Sequence, residues 1–308
     1  MTENNTKGNP VNGIDTFDSN QVIGATLGSA TILTELARGS MGVVFAAFQQ
    51  SLKRRIAVKV LPQCMYTEES VRLFEQEAEA VAGLSHPNIV PIYEIGEAPG
   101  FRWFTMQLIE GASLAVMLRK IAGNPVPSRR ILPIRTALTM VRQILEALSF
   151  AHRRKVVHRD IKPENILVIA ESHIPVITDF GISRIVSAPV DAMQTPRGSP
   201  LYMAPEQILS ADTDARADIY AVGILLFRLL VAALPLIAHA SADELLAAKL
   251  SGRGIFTRAP SQANPRLHPH MDAVVAAATT HDPRARYASC RDFLTALAGY
   301  ERKHVGPQ

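Results

Sequence analysis

"VVHRDIKPENIL", residues Val156 to Leu167, sets an Asp, a Lys and an Asn within six positions between two apolar runs. A turn calls for Pro163 and Asn165 on backbone grounds, because proline presets φ and asparagine can bond its own backbone. It does not call for that order of charges. Read alone, the stretch is either a polar turn or a catalytic loop, and the rest of the chain has to decide between them.

Composition narrows the classes. The chain has 308 residues and is 47% hydrophobic, enough for two compact lobes or one large domain. Its 32 basic and 28 acidic residues give a net charge of +4 with no continuous basic block, so nucleic acid is not an implied partner. Cys64 and Cys290 stand far apart in no CxxC or Cys/His arrangement, which predicts two free thiols and neither a disulfide framework nor a zinc site. The N-terminal "MTENNTKGNPVNG" lacks the basic-then-apolar run of a secretory signal, so a cytoplasmic location is expected. The apolar stretch Ile219 to Ala238 is long enough to suggest a membrane span, but Arg228 lies in its middle and Pro235 near its end, and a buried core helix is the better reading.

Residues 1–24, rich in Asn, Thr, Gly and Asp, predict a disordered tail. From about Ala25 to Glu94, "GVVFAAF" and "RIAVKVL" read as strands around one helix, "EESVRLFEQEAEAVAGL". After Gly111 the patterns turn helical, in "IRTALTMVRQILEALSFAHRR" and around Ala221 and Ala273. Residues 123–133 and 251–269 read as loops.

Several residues in this frame carry chemistry. In "LARGSMGVVF", Gly39 and Gly42 would let backbone N–H groups approach phosphate oxygens, or would simply close a hairpin. Lys59 sits inside an apolar strand pattern; buried there it needs an anion, whereas on an edge strand it would face solvent. Of Glu75, Glu77 and Glu79, only Glu77 lies one turn from both Leu73 and Val81 and so faces inward. In the opening stretch Asp160 could accept a proton from an attacking hydroxyl, Lys162 could neutralise charge on a transferring phosphoryl group, and Asn165 could offer an amide oxygen to a hard cation. "VITDFGISR" places Asp179 at the end of an apolar run, where a carboxylate suits Mg²⁺. Each of these is weak singly, but together they follow one order.

That order resembles the signature of the protein kinases, over about residues 25–301. The resemblance implies an α+β, two-lobed fold. A small β-rich N-lobe with one main helix would span 25–109, a larger mainly helical C-lobe 110–301, and a short tail 302–308. It implies that Lys59 holds the α- and β-phosphates of ATP and pairs with Glu77, that Asp160 is the catalytic base assisted by Lys162, and that Asn165 and Asp179 bind Mg²⁺, for which Mn²⁺ can substitute. Gly39 and Gly42 would lie over the phosphates, with Ala37 standing where the pattern has its first glycine. Val44, Ala57 and Leu167 would sandwich the adenine, Met106 would guard the back of its pocket, and Gln107 to Ile109 would be the hinge. "GSPLYMAPEQ" supplies the Ala204-Pro205-Glu206 end of an activation segment, "DPRARY" supplies Arg286 to pair with Glu206, and Asp218 and Gly223 match the start of the buried central helix.

Lys162 resembles the serine/threonine group, and "RGSMGVVF", "SHPNIV" and "YMAPEQ" resemble bacterial eukaryote-like kinases in particular. Arg159 would pair with a phosphorylated residue of the activation segment. Ser183, Ser187, Thr195 and Ser199 are the candidates, and Thr195 is preferred because Ser199 takes the place of a family threonine that supports the substrate loop. Protein substrates and ATP are the implied partners, and a homodimer phosphorylating itself in trans is compatible with the resemblance. Two rivals stand beside it: a pseudokinase that binds without transfer, marked by loss of Lys59, Asp160 or Asp179, and a small-molecule kinase, which fits poorly with the intact "APEQ".

Overall fold

The computed structural model describes residues 17–39, 42–180, 200–210, 213–237 and 241–306. The chain divides into two units, one made of everything up to Gly83 together with Pro91–Leu108, the other of Leu84–Val90 and everything from Ile109 onward. The two-lobed reading therefore holds in outline, with one refinement: the "SHPNIV" stretch belongs entirely to the second unit although the first surrounds it in sequence. Asn88 fixes it there, since its side-chain amide donates to Pro175 O at 2.8 Å and its own carbonyl accepts from Ile177 N at 2.8 Å.

The first unit is an antiparallel sheet of β1 (Thr26–Leu27), β2 (Ala30–Gly39), β3 (Gly42–Gln49), β4 (Arg54–Pro62), β5 (Ile92–Ala98) and β6 (Phe101–Gln107), in the order β1-β2-β3-β4-β6-β5. Helix α1 (Glu68–Ala82) starts at Thr67, whose hydroxyl accepts from Ser70 N while the Ser70 hydroxyl accepts from Thr67 N. That reciprocal pair satisfies two backbone donors that a helix start leaves open. Phe74 and Ala78 of α1 pack with Leu61 and Phe104, with Met106 partly buried against the same cluster.

A second cluster holds Val43, Phe45, Val58, Val60 and Trp103. Trp103 lies between two glycines: a Cβ added at Gly28 or at Gly96 would come within 2.4 Å of its ring. This cluster extends into the stretch whose composition predicted disorder, because Phe17 and Val22 are buried in it and Ser19–Gln21 form a 3-10 turn capped by Asp18. Polar composition masked two well-spaced apolar anchors.

The second unit carries a small sheet of β7 (Gly111–Ser113), β8 (Ile166–Ile169) and β9 (Pro175–Ile177), paired in that order. Its helices are α2 (Leu114–Ala122), α3 (Ile134–His152), α4 (Glu206–Leu209), α5 (Arg216–Leu230), α6 (Ala242–Leu250), α7 (Pro260–Ala263), α8 (His270–Ala278) and α9 (Cys290–His304). The apolar spacing of α3 buries Leu138, Val141, Leu145 and Leu148 on one side, as a 3.6-residue period requires. α7 makes one helical turn inside the 251–269 stretch read as loop, started by Pro260 at a position that needs no N–H donor.

α5 is the membrane-like segment. It is buried from Ala217 to Phe227, and Arg228 turns its guanidinium onto the carbonyls of Val231 and Ala232 at 3.2 and 3.0 Å, closing the helix end. No helix among the described residues is long and apolar enough to cross a membrane.

Candidate active site

In the first unit β4 runs between β3 and β6, so Lys59 is on an interior strand, opposite Val44 on one side and Phe104 on the other. Lys59 is 5% exposed, and its ammonium donates to both carboxylate oxygens of Glu77, itself 3% exposed, at 2.9 and 3.0 Å. Glu75, by contrast, reaches outward to Arg102. An interior lysine is tolerated because the bidentate carboxylate replaces lost water.

Gly39 and Gly42 face each other across the β2–β3 hairpin. They differ in what they serve. Gly42 has φ +124° and a Cβ there would meet Val60 O at 2.4 Å, so the fold itself requires it. A Cβ at Gly39, which is exposed, would meet no described atom within 4 Å, so packing among the described residues does not require a glycine there. Ala37 is exposed and pairs with Val44. Ala57 is buried opposite Met106, and Gln107 is exposed, its N–H donating to Pro91 O at 3.1 Å.

The second unit brings the acidic residues together. Arg159 has φ +63° and Asp179 φ +51°, conformations that a side chain makes costly. The first is held by Asp218, fully buried in the first turn of α5: its carboxylate accepts from Arg159 N at 2.7 Å, His158 N at 2.9 Å and His152 Nε2 at 2.8 Å. His158 is buried against Phe180, with ring centroids 4.6 Å apart, and bonds Thr178 O at 3.0 Å, tying the loop to the segment that follows β9 and carries Asp179.

On this frame Lys162 Nζ lies 2.6 Å from Asp160 Oδ2, and Asn165 Nδ2 donates to Asp160 Oδ2 at 3.0 Å and to Asp160 O at 2.9 Å. Thr178 N donates to the main-chain carbonyl of Asn165 at 2.9 Å and the Thr178 hydroxyl to Asp179 Oδ2 at 3.3 Å, so Thr178 ties the Asn165 backbone to the Asp179 side chain. An amide oxygen and a carboxylate form a hard donor set that fits a divalent cation such as Mg²⁺. Leu167 is half-buried on β8, and Ile109 is half-buried at the start of the second unit's main stretch.

Burial alone would raise the Asp218 pKa, but the hydrogen bond from His152, the charges of His152 and His158, and the His158 N–H bring it below the ordinary carboxylate value. A carboxylate depressed in the folded state contributes stability above its unfolded pKa and loses it as pH falls through the folded one. We expect Asp218→Asn, whose amide N–H groups would meet N–H donors, to cost roughly 3 kcal/mol at pH 7. Chemical denaturation at pH 7 and at pH 3 checks this: the gap between variant and wild type should narrow in acid, and a gap constant with pH would contradict it.

Further on, Arg286 grips Glu206 through two bonds of 2.7 Å. Sequence reading missed Gln207, which accepts from Ala204 N at 2.9 Å and donates to Arg159 O at 2.8 Å, joining this segment to the Asp160 loop. Gly181, Ser183, Ser187, Thr195 and Ser199 lie outside the described residues.

Two other clusters look chemical and are not built for it. Cys290 Sγ lies 3.5 Å from His152 Nδ1 in line with Asp218, but the thiol is buried and burial, with Asp218 nearby, pushes its pKa far up. It is a core residue. His268, His270 and His304 bring ligand nitrogens within 4.8 Å of one another. Yet His268 and His304 stack at 3.8 Å with 11° between planes, and His270 Nδ1 bonds His304 Nε2 at 2.7 Å. A metal sits near the plane of each imidazole at about 2 Å from nitrogen, and one ion cannot lie in two stacked planes.

Residues 30–298 match the family model described as protein kinase domain. The chain belongs to the protein kinase family. The chain is 36% identical over 281 residues to the serine/threonine-protein kinase PknF of Mycobacterium tuberculosis, an alignment covering 89% of this chain and 56% of PknF. It is 34% identical over 292 residues to Pkn1 of Myxococcus xanthus, covering 92% of this chain and 40% of Pkn1. With PrkC of Bacillus subtilis the identity is 33% over 270 residues, covering 86% and 39%. The chain thus spans about half or less of the length of these relatives. Among solved structures, the M. tuberculosis PknI kinase domain is similar at a TM-score of 0.70 and 27% identity, covering 91% of this chain and 98% of that one. These kinship findings agree with the bacterial eukaryote-like resemblance.

Proposed function

We propose that this chain is a serine/threonine protein kinase that transfers the γ-phosphoryl group of ATP to protein hydroxyls. The observation that carries the reading is the Asp160 carboxylate, oriented by Lys162 and Asn165 on a strained loop anchored by Asp218. The acceptor hydroxyl oxygen attacks the γ-phosphorus, the bond to the β–γ bridging oxygen breaks, and the hydroxyl proton passes to Asp160. Lys162, beside Asp160, stabilises charge on the phosphoryl oxygens. Lys59, oriented by Glu77, holds the α- and β-phosphates, and backbone N–H groups near Gly39 cover them. Ala37 in place of a glycine adds one methyl at an exposed position. Val44, Ala57 and Leu167 supply apolar surface for adenine, Gln107 to Ile109 its backbone partners, and Met106 the wall behind it. Asn165 and Asp179 would hold Mg²⁺, which when bound neutralises phosphate charge.

Purified protein incubated with labelled ATP and Mg²⁺ should label serine and threonine in added peptides; nucleotide binding without transfer would favour a pseudokinase scaffold. Thr195 is the proposed site of activating autophosphorylation. Arg159, whose Nε and Nη2 donate to Thr213 O at 3.3 and 3.2 Å, keeps further N–H groups for a phosphate. Mass spectrometry should find phosphate on Thr195, and Thr195→Ala should slow peptide phosphorylation about tenfold, the scale of one charge-assisted hydrogen bond. An unchanged rate after full incubation with ATP would sink that role.

A further inference from the structure

Lys249, one residue from the end of α6, is 2% exposed. A lysine that deep is rare and costly unless oxygen atoms take the place of water. Its Nζ donates to three main-chain carbonyls in a row of four residues: Pro200 at 2.8 Å, Leu201 at 2.7 Å and Met203 at 2.5 Å. It also lies 4.9 Å from the centroid of the Tyr220 ring on α5, and the Arg286 guanidinium lies 4.9 Å from the same centroid. The run from Pro200 to Glu206 is therefore held by two buried cations that share one aromatic ring. Lys249 holds its beginning through the backbone, and Arg286 holds its end through the Glu206 carboxylate. From there Ala204 N, Gln207 and Arg159 O carry the connection to the residue beside Asp160.

We propose that Lys249 is a positioning residue for the protein substrate: it fixes the backbone path of 200–203 so that the residues flanking the acceptor hydroxyl are placed, and selected, relative to Asp160. This rests on the kinase reading above. An ammonium presents three donors from a single point, which suits carbonyls converging from successive residues; the planar fork of an arginine does not. Because each bond goes to main chain, the ammonium sets the path of the segment whatever its side chains are. The ligand class addressed is the peptide on either side of the phosphorylated residue, not the nucleotide.

The test compares wild type with Lys249→Met, which keeps the volume and loses the donors, using labelled ATP and a degenerate peptide library fixed at serine or threonine. The expected result is a peptide KM raised roughly tenfold, the loss of about one to two net hydrogen bonds, with flattened selectivity beside the acceptor and an unmoved KM for ATP. Wild-type peptide KM and selectivity in the variant would overturn the inference, and so would equal shifts in both KM values accompanied by a lowered Tm, the mark of a purely structural role. Should the methionine variant not fold, Lys249→Gln, which keeps an amide donor, is expected to show the same split at smaller size, and its absence overturns the proposal. A wild-type protein that transfers nothing to any peptide overturns the kinase reading itself and takes this inference with it.

Discussion

Replacing Asp160 with asparagine is expected to lower phosphoryl transfer by about 10²–10⁴-fold, the range that a positioned general base contributes. The substitution keeps size and shape, and its amide oxygen can still accept from Lys162 or Asn165, which reach Asp160 Oδ2 at 2.6 and 3.0 Å. It removes the group that takes the acceptor's proton. The Asp160 side chain is 24% exposed and that of Lys162 18%, so the lost ion pair costs stability no more than about 1 kcal/mol. Nucleotide affinity and melting should therefore stay near wild type while transfer collapses. A variant transferring within tenfold of wild type would remove Asp160 from the role of base.

Lys59→Met should be damaging in two separable ways. It leaves Glu77, a residue 3% exposed, without its ammonium, which typically costs about 3–5 kcal/mol, of the order of half a domain's stability. It also removes the cation assigned to the ATP phosphates, for which a loss of roughly 10²–10³ in rate is the usual scale of one electrostatic contact. The double variant Lys59→Met, Glu77→Leu separates the effects, because a buried ion pair exchanged for apolar side chains is often neutral for stability. Denaturation should show stability largely restored, and the transfer assay should not recover. Recovery of transfer in the double variant would mean that Lys59 acts only by neutralising Glu77.

What could be read from sequence were features that a short window contains. Periodicity placed α1 and turned Glu77 inward, whereas the apolar run around Lys59 left a buried ammonium and an edge-strand lysine both open until the sheet order set β4 between β3 and β6. The loop of Asp160 was ambiguous by itself and became legible only beside Lys59, Glu77 and Asp179, which stand with it in one recognisable order. Lys249 was not legible, since in "LAAKL" it looks like an ordinary helical lysine and its three carbonyl partners lie 46–49 residues away. Gln207 was hidden likewise: its bond to Arg159 spans 48 residues. The order in residues 17–23 was missed for the opposite reason, because two buried apolar side chains are diluted by polar neighbours that composition weighs equally.

The indole wedged between Gly28 and Gly96 is the only tryptophan in the chain, and it belongs to the β-rich unit. Emission excited at the red edge of protein absorbance therefore originates in that unit alone, whereas helical circular dichroism is dominated by the other. Followed together through denaturant, the two signals form a built-in pair of optical reporters. Coincident transitions would mark one cooperative molecule, and separated ones would give each half its own free energy without any added label.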